Sequence, residues 1–187
     1  MRVLKNAVNL SHDMLKRVVK LRDVVLDATC GKGNDTVFLA ELVGDLGRVY
    51  SFDVQMKAID IAKDCARKNG LSDRIQFICD GHENLDRYVK DELSAVIFNL
   101  GYLPTGDHSI ATKADTTVIA IQKSLDLIKK NGLVVLVVYS GGDTGFEEKE
   151  KILGFVSRLD AKIYNVMKVD FVNQINNPPI LVCIEKL

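Results

Sequence analysis

The stretch "AKIYNVMKVDFVNQINNPPILVCIEKL" (161–187) closes the chain. It reads as two strands rich in β-branched residues, with only the loop "NQINNPP" between them. Neighbouring parallel strands need a crossover of about a dozen residues or more, usually a helix. No helix fits in that loop, so the two strands pair antiparallel.

Upstream the rhythm differs. Strand-like runs stand at "VVLDAT" (24–29), "RVYSFDV" (48–54), "RIQFIC" (74–79), "SAVIFNL" (94–100) and "LVVLVVYS" (133–140). Helical patterns separate them. "NDTVFLAELV" follows the first strand. "QMKAIDIAKDCARKNG" follows the second, with Met56, Ile59, Ala62 and Ala66 on one face. "HENLDRYV" is a short helix or turn. A long helix over about 110–130 is expected to stop at Asn131-Gly132, and "GFEEKEKILGFVSRLD" is another helix. An extra helix, "NLSHDMLKRVV", precedes the first strand. Such alternation demands a parallel sheet covered by helices on both faces. The expected fold is an α/β three-layer sandwich with a mostly parallel, seven-stranded sheet and a terminal antiparallel hairpin. One domain, 1–187, with a helical extension at about 1–22, accounts for the chain.

Charge is balanced, 25 basic against 25 acidic residues, so no global field draws the protein onto nucleic acid. Residues 1–22 are an exception: Arg2, Lys5, Lys16, Arg17, Lys20 and Arg22 face the single acid Asp13. That cluster reads as a solvated helix face or as an RNA-facing patch. No apolar run reaches the length of a membrane span, and no signal peptide is expected. Cys30, Cys65, Cys79 and Cys183 form no CxxC, and with three histidines no zinc spacing appears. Small buried thiols suit a reducing cytoplasm.

In α/β sheets the ligand sits beyond the carboxyl ends of the strands. "DATCGKGNDT" (27–36) carries the first strand through a glycine turn into a helix there. Gly31 and Gly33 let backbone approach a ligand where a Cβ would collide. Lys32 is followed by Gly33, which rules out a P-loop, and Thr36 stands where a dinucleotide turn would place its third glycine. The second strand ends in Asp53, placed to take both hydroxyls of a ribose, with Gln55 just beyond. The third ends in "CDGH", with Asp80 and His82, and the fourth in "NLGY", with Asn99. Taken singly, Asp27 and Asn34 could cap a helix, as could Asp53, and His82 could be an exposed turn residue. Their coincidence on successive strand ends argues for a ligand. Asp27, Asn34 and Asp35 suit the charged ends of an amino acid.

This set, with the terminal hairpin, resembles the class I S-adenosylmethionine-dependent methyltransferases over essentially the whole chain. The resemblance implies S-adenosylmethionine as cofactor. Its methionine part would lie on the turn formed by Thr29, Gly31, Lys32, Gly33, Asn34, Asp35 and Thr36. Asp53 would hold the ribose, flanked by Gln55, and Asp80 with His82 would lie against the adenine. The segments "NLSHDML", "DATCGKGNDT", "FDVQ", "DGHENL" and "FNLGYLPTGDHSI" together resemble one bacterial family described as rRNA methylases. Its characterised members methylate the 5-aminomethyl group of (2-thio)uridine at the tRNA wobble position. The tRNA anticodon loop is the partner this implies, met by His12, Lys16, Arg17 and Lys20.

Amine-directed methyltransferases often carry (N/D)PP(Y/F) after the fourth strand. "NLGY", Asn99 to Tyr102, keeps the amide and the aromatic and lacks both prolines, which suits an amine on a flexible methylene. Asn99 and Tyr102 are expected to position amine and base, although Tyr102 also reads as packing. Asp107, His108 and His12 are candidates to take the amine's proton. Other readings stay open: a methyltransferase of rRNA or small molecules, an NAD(P)-dependent oxidoreductase, and a noncatalytic RNA-binding module. A homodimer is also left open.

Overall fold

A computed structural model of the protein describes residues 6–101, 114–140, 142–175 and 177–187. Among them, seven strands form one sheet: β1 (Val24–Asp27), β2 (Arg48–Asp53), β3 (Ile75–Cys79), β4 (Leu93–Leu100), β5 (Ile128–Val138), β6 (Tyr164–Val169) and β7 (Ile180–Lys186). Their spatial order is β3-β2-β1-β4-β5-β7-β6. The first five pair parallel. β7 runs antiparallel to β6, as the residues 161–187 required, and also to β5.

Among the described residues six α-helices cover the sheet: α1 (Ala7–Val18), α2 (Asn34–Val43), α3 (Met56–Lys68), α4 (Leu85–Tyr88), α5 (Ala114–Leu127) and α6 (Gly142–Val156). β4 alternates its side chains between two cores. Val96, Phe98 and Leu100 join Leu85, Ile121, Leu125 and Ile152 on one face. Ala95 and Ile97 join Leu15, Leu39 and Val43 on the other. A strand buried on both faces has no polar alternation, which explains the unbroken apolar run "SAVIF". The chain winds outward from β1 in one direction and from β4 in the other, so the crevice at their carboxyl ends is the switch point where such sheets bind ligands.

Three sequence expectations need correction. Asn131-Gly132 does not end the long helix; α5 stops at Leu127, and the pair lies in a bulge of β5. There Leu93 pairs with Ile128 but Ala95 with Leu133. Asn131 takes the left-handed conformation, and a Cβ on Gly132 would lie 3.0 Å from the Ser94 carbonyl oxygen. Turn-forming residues mark the bulge as readily as a helix stop. Met56 opens α3 exposed, while Ala58 fills the buried face with Ile59, Ala62 and Ala66. The first strand ends at Asp27, so Ala28 and Thr29 belong to the turn.

Candidate active site

The turn after β1 is held from beneath. Cys30 N–H donates to the Phe52 carbonyl, and Gly33 N–H to the Cys30 carbonyl. Gly31 and Gly33 both have positive φ. A Cβ on Gly33 would lie 2.9 Å from Ala62 of α3, so only glycine lets α2 start this close to its neighbour. Gly33 is the N-cap of α2 and supplies no side chain. Helix capping therefore accounts for neither Asp27 nor Asn34. Lys32 and Asn34 stand exposed on the outer face of the turn.

Asp27 is fully buried. Its oxygens accept from Thr29 N–H at 3.1 Å and from the Thr36 hydroxyl at 2.5 Å. Thr36 also bonds Ser51 at 2.8 Å. Asp27 thus ties the turn to its own strand, beneath the surface where the sequence placed it as a cofactor contact. Thr36, which looked like a missing glycine, supplies the hydroxyl of that tie. Burial and the nearby Asp35 carboxylate push the Asp27 carboxyl up to about 7, against the Thr36 and Thr29 bonds.

Asp53 closes β2 with each carboxylate oxygen already oriented, one by Gly31 N–H and one by Gln55 N–H, both at 2.9 Å. A carboxylate has lone pairs beyond these two, so a half-buried Asp53 can still accept from a diol. Val54 and Met56 leave exposed apolar surface beside it, a feature masked in the sequence by their place at a helix start. Asp80 accepts from Gly81 N–H, the Asn84 amide and the Tyr88 hydroxyl at 2.7, 2.9 and 2.8 Å. Desolvation works the other way, but these bonds hold its carboxyl below the ordinary value. His82 is buried rather than an exposed turn residue. Its Nδ1 lies 3.2 Å from the Ala28 carbonyl, which can only accept, so Nδ1 carries the hydrogen. Its ring meets Phe98 edge-on. Burial lowers its pKa and keeps the imidazole neutral, a prop under the turn.

Asn99, at the end of β4, lies in a second network. Its backbone N–H donates to Thr29 Oγ1 at 2.7 Å, and its Nδ2 to Asp35 Oδ2 at 3.1 Å. The other Asp35 oxygen meets His12 Nε2 at 2.6 Å. His12 is stacked flat on Phe38, with ring centroids 3.8 Å apart. Asp35, read from the sequence as a partner for the cofactor's charged ends, instead joins α1 to β4. Tyr139, which the sequence reading passed over as strand, lies at the same edge. Its ring is 3.5 Å from where a Cβ on Gly101 would be, and burial and the Asp35 charge raise its pKa. Only its place at the end of β5 could have signalled it.

Tyr102, Asp107 and His108 lie outside the described residues. Lys16 and Arg17 are exposed in the last turn of α1 and Lys20 is exposed just beyond it, with Lys16 Nζ 5.7 Å from the centre of the Phe38 ring. The two buried thiols are inert: burial pushes Cys30 to about 12 and Cys183 to about 11. Among the described residues no acid, histidine and cysteine cluster could hold a metal ion, and no helix is long and apolar enough to cross a membrane.

A glycine turn with open backbone and a poised carboxylate on each of the next two strands fit a cofactor with an amino-acid end, a ribose and an exocyclic amine. The comparisons agree. The family described as "Putative rRNA methylase" matches residues 49–185. An Arabidopsis thaliana protein named "tRNA (mnm(5)s(2)U34)-methyltransferase, chloroplastic" is 34% identical over 180 residues, 91% of this chain and 66% of that protein. The chain spans about two thirds of the length of the curated relatives it matches. The crystal structure of an rRNA methylase homologue from Clostridium thermocellum is 52% identical with a TM-score of 0.98, covering 100% of both chains. A methyltransferase structure from Streptococcus mutans, solved in complex with SAH, is 40% identical with a TM-score of 0.91, covering 99% of this chain and 100% of that one.

Proposed function

The chain belongs to the class I S-adenosylmethionine-dependent methyltransferases, in the family described as "Putative rRNA methylase", and we propose that it methylates RNA. Its cofactor is S-adenosylmethionine. The substrate we assign is the nitrogen of the 5-aminomethyl group on wobble (2-thio)uridine in tRNA, within the cytoplasm. The observation that carries this reading is the Asn99 amide, turned by Asp35 so that its carbonyl oxygen is left to accept from a substrate N–H. The Arabidopsis relative's name supports the choice of amine.

The cofactor supplies an electrophilic methyl group on a sulfonium. Transfer is an in-line displacement, so the protein contributes chiefly by positioning. The turn from Thr29 to Asn34 takes the methionine end through open backbone, with Lys32 and Asn34 at its rim. Asp53 accepts from the ribose hydroxyls beside Gln55, and Asp80 from the adenine amine. Asp27, Thr36 and His82 hold the turn in shape. Asn99 accepts one N–H of the uncharged amine and aims the nitrogen lone pair. Tyr102 packs on the uracil face, and Asp107 or His108 takes the proton. Lys16, Arg17 and Lys20 meet RNA phosphates.

Mass spectrometry of tRNA nucleosides from a strain lacking the gene tests the reading. Wobble 5-aminomethyl-(2-thio)uridine should accumulate unmethylated, and the purified chain should methylate it in that tRNA. Unchanged tRNA with a missing methyl group in rRNA would move the substrate to the ribosome.

A further inference from the structure

A groove opens between α1 and the segment that joins β6 to β7. It encloses about 550 Å³, inside the roughly 300–1,000 Å³ of ordinary ligand sites. One wall is Asn9, His12 and Lys16; the other is Phe171, Gln174 and Pro178. The topology puts it at the catalytic edge. β7 is antiparallel, so its first residue, Ile180, pairs with Val138 at the carboxyl end of β5, and the segment before it lies at that edge. His12 belongs to both places: it lines the groove, and its Nε2 holds the Asp35 that holds Asn99.

The groove does not end there. A second cavity of about 340 Å³ passes the same Phe171, Gln174 and Pro178 and reaches Ser140 and Lys149. A cation therefore stands near each end, Lys16 at one and Lys149 at the other, with an aromatic ring and side-chain amides between. The acids on the rim are not unpaired: Asp170 pairs with Lys168 at 3.3 Å, and Asp13 has a partner of its own. Aromatic faces stack unpaired bases, amides read their edges, and cations at either end meet backbone phosphates.

We propose that this groove seats the nucleotides flanking the target, so that the RNA strand runs from Lys16 past Phe171 towards Lys149 while the target base turns towards Asn99. Phe171 is the stacking platform and Gln174 an edge contact. This rests on the RNA reading above, and the test separates the two.

The full chain is compared with Phe171→Ala, Phe171→Tyr, Gln174→Ala and, as a control at the opposite edge of the sheet, Leu46→Ala. Binding of tRNA from the strain lacking the gene is followed by fluorescence anisotropy, with methylation of the same tRNA measured separately. Phe171→Ala should weaken tRNA binding about tenfold, the scale of one lost base–aromatic stack. Gln174→Ala should weaken it less. Phe171→Tyr should restore wild-type binding, and S-adenosylmethionine affinity should not move in any variant. Wild-type tRNA affinity in Phe171→Ala overturns the groove. So does a change in oligomeric state without a change in tRNA affinity, which would make this face a contact between copies of the chain. Absent methylation by the wild type strikes the substrate assignment alone, since binding is read without chemistry.

Discussion

Asn99 Nδ2 donates to Asp35 Oδ2 across 3.1 Å, joining the end of β4 to the first turn of α2. A carboxylate only accepts, so this bond decides which end of the amide faces the crevice. Removing it removes the aim of the acceptor. Asn99→Ala should lower single-turnover methylation of tRNA carrying 5-aminomethyl-2-thiouridine by about 100-fold, the scale of a lost alignment. S-Adenosylmethionine should still bind by calorimetry. Wild-type turnover in this variant would take Asn99 out of the mechanism and leave Asp107 and His108 as the residues to examine.

His12 acts one bond further out, through the 2.6 Å contact with Asp35. His12→Ala leaves a largely buried carboxylate short of a partner, and a hydrogen bond to a charged group contributes about 1.5–3 kcal/mol. The turnover number should fall about tenfold with little change in the KM for S-adenosylmethionine. His12→Gln, which can donate from a similar reach, should recover part of the loss. No recovery, with an equal loss of melting temperature in both variants, would reduce His12 to a packing residue on Phe38.

Asp53 is oriented by two backbone N–H groups before any ligand arrives. Asp53→Ala should weaken S-adenosylmethionine binding by roughly 1–3 kcal/mol, the value of lost charge-assisted hydrogen bonds. Calorimetry showing equal affinity would place the ribose elsewhere.

Asp27 makes stability depend on pH. Its folded pKa lies above the unfolded value, because of burial first and the Asp35 charge second. The folded state therefore keeps a proton that the unfolded chain has released. The stabilisation is fully present below the ordinary carboxylate value and is lost as pH rises towards about 7. Melting temperature should fall between about pH 4 and about pH 7, and Asp27→Asn should flatten that fall. The asparagine amide can donate to Thr36, which can pass its own hydrogen to Ser51, so the network survives. An unaltered slope in the variant would assign the pH dependence to another group.

Lys16, Arg17 and Lys20 replaced together by Ala should weaken tRNA binding and reduce its salt slope by about 2, since each phosphate contact to a single strand contributes about 0.7. Cofactor affinity should stay put. An identical slope would return these residues to a solvated helix face.

The architecture of the sheet, mostly parallel with a terminal antiparallel hairpin, was legible because it rests on local signals. Apolar runs, their spacing and the short loop before Ile180 carry it, while the order of the strands came only with the structure. The positions of Asp53, Asp80 and Asn99 at or beside the carboxyl ends of β2, β3 and β4 were legible for the same reason, since local patterning marks where a strand stops. What was hidden depends on long-range packing. Nothing in "GNDT" says that Asp35 will reach His12, 23 residues earlier, and Asn99, 64 residues later. Nothing local separates an Asn-Gly bulge in β5 from a helix stop. The burial of His82 was hidden because it is settled by Phe98 of β4 and by Ala28 in the turn after β1, both distant along the chain.

α1 lies on the strands that the chain makes late. Its Leu15, and Val19 just after it, share a core with Val135 and Val137 of β5 and with Leu181 and Cys183 of β7. A nascent chain emerging from the ribosome thus carries the glycine turn, Asp53, Asn99 and the Asp35 and Phe38 that meet His12 before the last part of the core under α1 exists. A chain interrupted before Ile180 keeps those partners and the β5 share of that core and lacks the share that Leu181 and Cys183 supply, so the last strand made completes the support of the first helix.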